Sequence, residues 1–483
     1  MQLTSIQRIL GILLCLFSLT MVPPLAVSWY YADGADRAFS SALGVVLAGG
    51  LALWLPVRRE RRELRLRDGF LVVVLFWVSL GLTGSVPLLL SDLPGLTVAD
   101  AVFESISGLT TTGATVLVGL DEMPPSMLFY RQLLQWLGGM GIIVLAVAVL
   151  PMLGVGGMQL YRAETPGPIK DTKLTPRITE TAKALWYIYL GLTIACALAY
   201  HLAGMGWFDA VGHSFATVAI GGFSTHDASI GHFGNPMVEV VAVVFMTLAG
   251  VNFALHFTAW QSRSTRGYLA DSELRTYVAL LAALSVVTSA YLYLSGTFDT
   301  LAASVRHGVF QSVSVSTTTG FTTAGYHAWP SFLPVLLLFA SFVGGCAGST
   351  GGGLKVIRVL LLFKQGRREI LRLVHPNAIV PIKVGGVSMP PRVVDAVWGF
   401  FATYVATFAL IMLALMATGM DQVTAFSATA ACMNNLGPGL GDVAAHYGEI
   451  GSAAKWMLCV AMLLGRLEVF TLLVILSPTF WRG

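Results

Sequence analysis

The chain has 483 residues, of which 55% are hydrophobic and only 11% charged, against about 25% charged in a water-soluble domain. That composition excludes a single soluble body with a polar skin, and the net charge of +4, scattered over short segments, does not mark a nucleic-acid surface. The five cysteines, Cys15, Cys196, Cys346, Cys432 and Cys459, are odd in number and lie in or beside apolar runs, so they point to neither a disulfide framework nor a metal site.

In chain order, apolar runs predict membrane spans at 9–29, 38–57, 69–91, 131–153, 183–203, 236–257, 276–296, 331–363 (interrupted), 393–418 and 453–477. Each run is long enough to cross ~30 Å of hydrocarbon at ~1.5 Å per residue. The first follows Arg8 and has the look of a signal sequence. It is read as a retained span, kinked at Pro23-Pro24.

Ten spans divide the connecting segments into two alternating sets, and one set holds 24 of the 29 basic residues. The positive-inside rule makes that side cytoplasmic, with both chain ends on it. The opposite side has four basic residues, Arg37, Arg131, Arg306 and Lys455, against thirteen acidic ones, a net of −9. A negative mouth concentrates cations and repels anions.

The outer connections after spans three, five, seven and nine share a pattern. Each has a short, mostly apolar segment ending at a glycine, and these glycines, Gly113, Gly222, Gly320 and Gly437, stand 109, 98 and 117 residues apart. Eight residues before them come Ser105, Ser214, Ser312 and Thr429. Such periodicity indicates repeated architecture. A ten-residue helix reaches ~15 Å, half the hydrocarbon, so it dips in and returns. Asp100 and Asp209 stand where acidic N-caps are expected, with His307 and Thr424 at the equivalent places.

The stretches around these glycines are Thr110 to Thr115, Ala219 to Ser224, Thr317 to Thr322 and Asn434 to Gly439. Non-helical backbone at this depth is tolerated only where it lines a polar path or is buried in protein. Glycine accepts positive φ and lets successive carbonyls turn the same way, and rings of carbonyls replace an ion's hydration shell. Ion-binding residues are therefore expected at Thr111, Thr112, Gly113, Ile220, Gly221, Gly222, Thr318, Thr319, Gly320, Asn435, Leu436 and Gly437.

On these residues the chain resembles the TrkH branch of the Trk/Ktr/HKT potassium transporter superfamily, over spans three to ten and all four filter segments. The extra leading pair, residues 1–57, matches TrkH rather than the shorter Ktr form. The resemblance implies an all-α membrane protein with ten transmembrane helices plus four re-entrant pore helices. Four span, pore-helix, span repeats (69–153, 183–257, 276–363 and 393–478) would form a pseudo-tetramer around one pore. It also implies a homodimer in a bacterial inner membrane, K⁺ bound in the filter, and a cytoplasmic ring of TrkA-type nucleotide-binding subunits. The copies are unequal, with Asn435 and Leu436 replacing the threonines of copies one and three. Fewer matched carbonyl rings imply that Rb⁺ and some Na⁺ accompany K⁺.

Span eight is interrupted by residues 344–353, which include Gly344, Gly345, Gly348, Gly351, Gly352 and Gly353. At roughly 1 kcal/mol each relative to alanine, these glycines do not make an ordinary helix interior. The resemblance implies an intramembrane gating loop; a close seam of small residues between helices is the other reading. Leu354 separates the glycines from Lys355, which excludes a nucleotide P-loop. Arg466, ~20 Å into the last span, would act with the loop as an electrostatic barrier, or else pair with Glu468 or another buried acid.

The basic loops 154–182 and 364–391 are the expected docking surfaces for the regulatory ring. No strand leads into Gly-x-Gly-x-x-Gly, so nucleotide control would come from another subunit, and no covalent cofactor is expected. A proton- or sodium-coupled symporter is the alternative, with Glu239, Asp395 and Glu468 as its only mid-membrane carboxylates. An intramembrane enzyme is not expected. His213, His226 and His232 surround the second filter segment, but spacings of 13 and 6 do not recur on one helix face.

Overall fold

The computed structural model describes residues 1–60, 64, 66–148 and 178–482, with the side chains of 66, 140, 142–148 and 178–182 excepted. All but the last few residues of the expected docking loop 154–182, and the end of span four, lie outside the described residues. The protein is an all-α membrane protein. One two-residue hairpin, Lys383–Val384 paired with Val387–Ser388, turns at Gly385 and Gly386 with φ of 57° and 83°, the double left-handed turn such hairpins use.

Helices stand at all ten predicted places. Among the described residues, six are long and apolar enough to cross a membrane: Leu3–Tyr31, Asp36–Val57, Arg67–Leu89, Lys183–Leu202, Ser272–Leu294 and Pro391–Ala417. Large apolar side chains stand outward along them, Val286 at 67% and Leu410 at 68% exposure, a surface that only lipid or another apolar body can cover. The first span changes to a 3₁₀ turn at Leu19–Met21, where Pro23 and Pro24 open the next helical segment.

The other four places are interrupted, although the sequence reading expected a break only in span eight. Span four, Pro125–Ala148, leaves helical geometry at Gly141, with φ 45° and ψ −143°. Span six is two helices, Pro236–Ala249 and Phe253–Ser262, bent by 92°. Gly250 closes the first, and Asn252 caps the second by accepting from the Ala254 N–H at 2.8 Å. Span eight runs as Phe332–Ser341 and Val356–Val374 with irregular backbone between. Span ten is Ser452–Arg466 and Phe470–Leu476, bent by 115°. Its corner is Glu468 and Val469, at φ 52° and 49°, and the Glu468 carboxylate is held there by an ion pair with Arg358.

Four shorter helices follow spans three, five, seven and nine: Val98–Leu109, Trp207–Ala219, Leu301–Ser316 and Gln422–Met433. Thr97 and Asp100 form a capping box on the first, so Asp100 is the third residue of the helix and not its cap. Asp209 likewise lies in a first turn, after Gly206. The third helix starts six residues before His307 because Thr300 accepts from the Ala303 N–H at 3.2 Å, and Asp421 caps the fourth. These acids still face helix N-termini, where the dipole favours them.

Spans one and two pack through glycine. A Cβ on Gly11 would lie 2.7 Å from the Trp54 nitrogen, and one on Gly50 would lie 2.7 Å from Cys15 Sγ, so the two backbones nearly touch. Gly11→Val should therefore lower the thermal melting temperature in detergent by overpacking, at a cost of about 1–3 kcal/mol. An unchanged melt would place the contact elsewhere.

Candidate functional site

The four half-helices end identically. The N–H groups of Thr111, Ile220, Thr318 and Asn435 return to the carbonyl three residues back, at 3.0, 3.1, 3.0 and 3.3 Å. Those of Thr112, Gly221, Thr319 and Leu436 return five residues back, at 2.9, 2.8, 2.8 and 2.7 Å. This is the Schellman pairing. It holds Thr111, Ile220, Thr318 and Asn435 left-handed, at φ 54°, 55°, 67° and 54°. Glycine usually fills that position; β-branched Thr111, Ile220 and Thr318 there are outliers, at a cost of order 1–3 kcal/mol each.

Two residues later the chain turns left-handed again, at Gly113, Gly222, Gly320 and Gly437, with φ of 80°, 78°, 83° and 97°. Here there is no room for a side chain. A Cβ on Gly113 would overlap the Gly221 carbonyl oxygen, one on Gly222 that of Thr319, and one on Gly320 that of Leu436; one on Gly437 would crowd Thr112. Each copy touches the next and the fourth returns to the first, so the four turns close a ring.

The side chains pack away from that ring and are bonded among themselves. Thr110 and Thr112 share a hydroxyl contact at 2.7 Å, and Thr317 and Thr319 repeat it at 2.8 Å. Asn435 crosses to copy one, donating to Thr112 Oγ1 at 2.9 Å. Tyr447 donates to the Gly437 carbonyl at 2.8 Å, and Tyr404 to the side-chain oxygen of Asn434 at 2.6 Å.

Copy two lacks such a side chain, because Gly221 stands where the others have Thr112, Thr319 and Leu436. The Gln135 carboxamide from span four occupies the space, and a Cβ on Gly221 would overlap it. Gln135 donates to the Gly221 carbonyl at 2.6 Å and accepts from the Phe223 N–H at 3.0 Å. Gln132 donates to the Phe223 carbonyl at 2.9 Å.

Arg131, one residue earlier, pairs with Glu104 of the first half-helix at 2.7 Å, donates to the Ser224 carbonyl at 3.1 Å, and lies 4.3 Å over the Phe223 ring. The charge tally places Arg131 and Glu104 in outer loops, yet they are 1% and 0% exposed. Being opposite in sign, they leave the outer net charge unaltered. Sequence reasoning missed Gln132 and Gln135 as well. Three polar residues opening an apolar run was the available signal, since such groups inside a membrane are costly and face a bundle interior.

The irregular stretch within span eight lies against the ends of the half-helices. The Gly352 N–H donates to Thr318 Oγ1 at 2.7 Å, the Gly353 N–H to the Asn434 carbonyl at 3.1 Å, and Thr350 Oγ1 to the Val218 carbonyl at 2.9 Å. Gly344 packs so closely on Gly352, Gly345 on Ser349 and Gly351 on the Thr317 carbonyl that side chains would collide or crowd there. The Gly348 carbonyl accepts from the Phe253 N–H at 3.0 Å, across the break in span six.

Arg466 connects this loop to copy one. It donates to Thr111 Oγ1 at 3.2 Å, to the Thr350 carbonyl at 3.3 Å and to the Gly139 carbonyl at 3.2 Å, with a further bond to the Gly138 carbonyl. It is the last residue of the first helix of span ten, just ahead of the sharp corner, and not a point within a straight span. The whole arrangement is a closed ring of four backbone turns with a cation-bearing, glycine-rich crossing beside it.

Comparison with known proteins bears on what such a ring handles. Residues 36–482 match the family model described as TrkH, cation transport protein. The chain is 58% identical to the Trk system potassium uptake protein TrkH of Halomonas elongata, and 56% identical to that of Escherichia coli K12, with all of each chain covered. The crystal structure of the potassium transporter TrkH from Vibrio parahaemolyticus superposes with a TM-score of 0.91 at 57% identity, again over both whole chains.

The Gln135–Gly221 fit is open to a double-mutant cycle. Gly221→Ala alone should destabilise the protein in detergent melting, and Gln135→Ala should relieve part of that loss, with a coupling of about 1–3 kcal/mol. Additive effects would separate the two residues.

Proposed function

The chain belongs to the TrkH family of cation transport proteins, and on that premise we propose that it takes up potassium across a bacterial inner membrane by channel-like permeation through the glycine ring. The observation that carries this reading is the cyclic closure, in which each glycine abuts the carbonyl of the next copy. The repeats 69–153, 183–257, 276–363 and 393–478 each supply one quarter of the filter, and the pair 1–57 flanks them. Oxygens of Thr111, Thr112, Ile220, Gly221, Thr318, Thr319, Asn435 and Leu436, with the four glycines, coordinate the dehydrated ion. The Gln135 bond to the Gly221 carbonyl makes the copies unequal, in keeping with a filter that also passes Rb⁺ and some Na⁺.

The loop from Gly344 to Gly353 and Arg466 form the gate. Support comes from the bonds linking Thr350, Gly352, Gly353 and Arg466 to all four helix ends. A fixed positive charge there opposes passage of a cation until the loop moves. Both chain ends and loops 154–182 and 364–391 face the cytoplasm, where a TrkA-type nucleotide-binding ring docks on a homodimer. The exposed Phe363, Ile370 and Leu373, on the helix Val356–Val374 that forms the first part of the second loop, suit such docking.

Coupled symport is less favoured by the carboxylates. Glu239 is bound by Arg306 through two bonds of 2.7 Å, Glu468 pairs with Arg358, and Asp395 is exposed at the beginning of its span. Arginine-bound carboxylates are poor carriers of a driving proton.

⁸⁶Rb⁺ uptake by purified protein in liposomes tests the reading. Uptake should persist without a pH gradient and fall at least ~10-fold in Gly113→Ser, since the new side chain meets the neighbouring carbonyl. Arg466→Ala should raise uptake per molecule. Uptake indifferent to the glycine change would remove the filter assignment, and dependence on a proton gradient would favour symport.

A further inference from the structure

A cluster of one carboxylate and two imidazoles lies outside the ring. Asp121, in the connection after the first half-helix, lies beside His226 and His232, in the connection after the second, with one ligand atom from each within 4.8 Å of the others. Spacing in sequence conceals this, because Asp121 is 105 residues from His226. His213, the third member of the sequence-level histidine group, is turned inward and bonded to the Asp209 carbonyl and Ser224 Oγ, each at 2.9 Å.

The ligand atoms are close together, although the two imidazoles are not yet turned toward a common point. The His226 and His232 rings are stacked in parallel, centroids 3.5 Å apart and planes 2° apart. Both Nδ1 atoms face Asp121 Oδ1: His226 is hydrogen-bonded to it, and His232 is at 3.8 Å. The side chains of Asp121 and His232 are each 44% exposed, so the cluster is open to the outer solution. Behind the His226 ring, its Nε2 is 3.4 Å from the Asp209 carboxylate. A carboxylate at the far nitrogen is the usual partner of a metal-bound imidazole, fixing its tautomer and orientation.

The frame beneath is prearranged. The N–H groups of Gly119 and Leu120 donate to the Asp227 carboxylate at 3.2 and 3.0 Å, and the Asp227 N–H returns to Asp121 at 3.4 Å. The Gly231 N–H donates to the Thr322 carbonyl at 3.0 Å, two residues beyond Gly320. The loops of copies one and two are thus clamped together, and the clamp reaches copy three just outside the ring.

We propose that Asp121, His226 and His232 form a binding site for a transition-metal dication of the zinc type, at the outer mouth. Two imidazoles and one carboxylate are a zinc-type donor set, with a fourth position left to water. Magnesium and calcium prefer all-oxygen sites and are selected against. Tetrahedral ligands ~2.0–2.1 Å from the metal stand about 3.4 Å from one another; the ligand atoms are near that separation, and the half-exposed His232 ring must swing out of its stack on His226 to bring its lone pair to the same point. The hydrogen bond from His226 holds the Asp121 carboxyl below the ordinary carboxylate range. Binding requires His226 with Nδ1 unprotonated and its one ring proton on Nε2, toward Asp209, so that the metal takes the place of the proton in the Nδ1–Asp121 contact.

Isothermal titration of Zn²⁺ into the purified full-length protein in detergent tests this without reference to transport. One equivalent of Zn²⁺ should bind per chain, His232→Ala and Asp121→Ala should each weaken binding at least ~10-fold, and Asp209→Asn should weaken it by about 10-fold through the ring it orients. His232→Cys, which restores a zinc ligand, should retain binding and so guards against loss of fold in the alanine variant. Absence of binding by the native protein, or equal binding by native and His232→Ala protein, would overturn the proposal.

Discussion

Everything in the molecule depends on the contact between a glycine Cα and the carbonyl of the next copy. Gly113 against Gly221, Gly222 against Thr319, Gly320 against Leu436 and Gly437 against Thr112 form a ring that closes only if four half-helices, from places far apart in the chain, end at the same height and twist. The Schellman endings fix the twist locally. Four non-glycine residues in left-handed geometry oppose it, at about 1–2 kcal/mol each, so packing from all sides must hold them there. The buried Arg131–Glu104 pair, the Gln135 carboxamide and Asn435 reaching Thr112 supply such packing, each joining two copies or a copy to a neighbouring span.

Beneath the ring, the four spans that follow the half-helices all lose regular helix: at Gly141, at Gly250 to Asn252, over residues 342–355, and at Leu467 to Val469. A straight helix satisfies its own backbone and has nothing left to offer a neighbour. Broken ones free carbonyls, and these are taken up here by specific partners: Gly138 and Gly139 by Arg466, Gly250 by the Cys346 N–H at 2.8 Å, and Ala249 by Thr350 at 3.3 Å. The crossing loop is therefore joined to its neighbours by specific hydrogen bonds as well as by close glycine packing.

Sequence made the glycines legible because their demand is absolute: a left-handed turn with no room for Cβ admits no substitute, and it recurs four times. The run from Gly344 to Gly353 was legible for the same reason, by density. The corners of spans six and ten were not. One glycine beside Asn252 reads as a tolerated flaw in an apolar run, and Glu468-Val469 reads as helix until the Arg358 partner 110 residues away is seen. The left-handed turns at Thr111, Ile220 and Thr318 were not legible either, since nothing local favours a β-branched residue there. Arg131 and Glu104 were counted as surface charges because burial of a pair is a property of two segments, visible only once they meet. Asp100 illustrates a smaller miss, where the preceding Thr97 took the cap and left the acid at the third helical position.

In the proposed function, four backbone turns jointly hold one bare alkali cation. Anomalous diffraction from crystals grown in Rb⁺ measures this directly. A rubidium peak should lie on the axis of the ring, level with the carbonyls of Thr112, Gly221, Thr319 and Leu436. A rubidium site displaced from that axis, bound instead by side-chain carboxylates elsewhere in the membrane region, would contradict it.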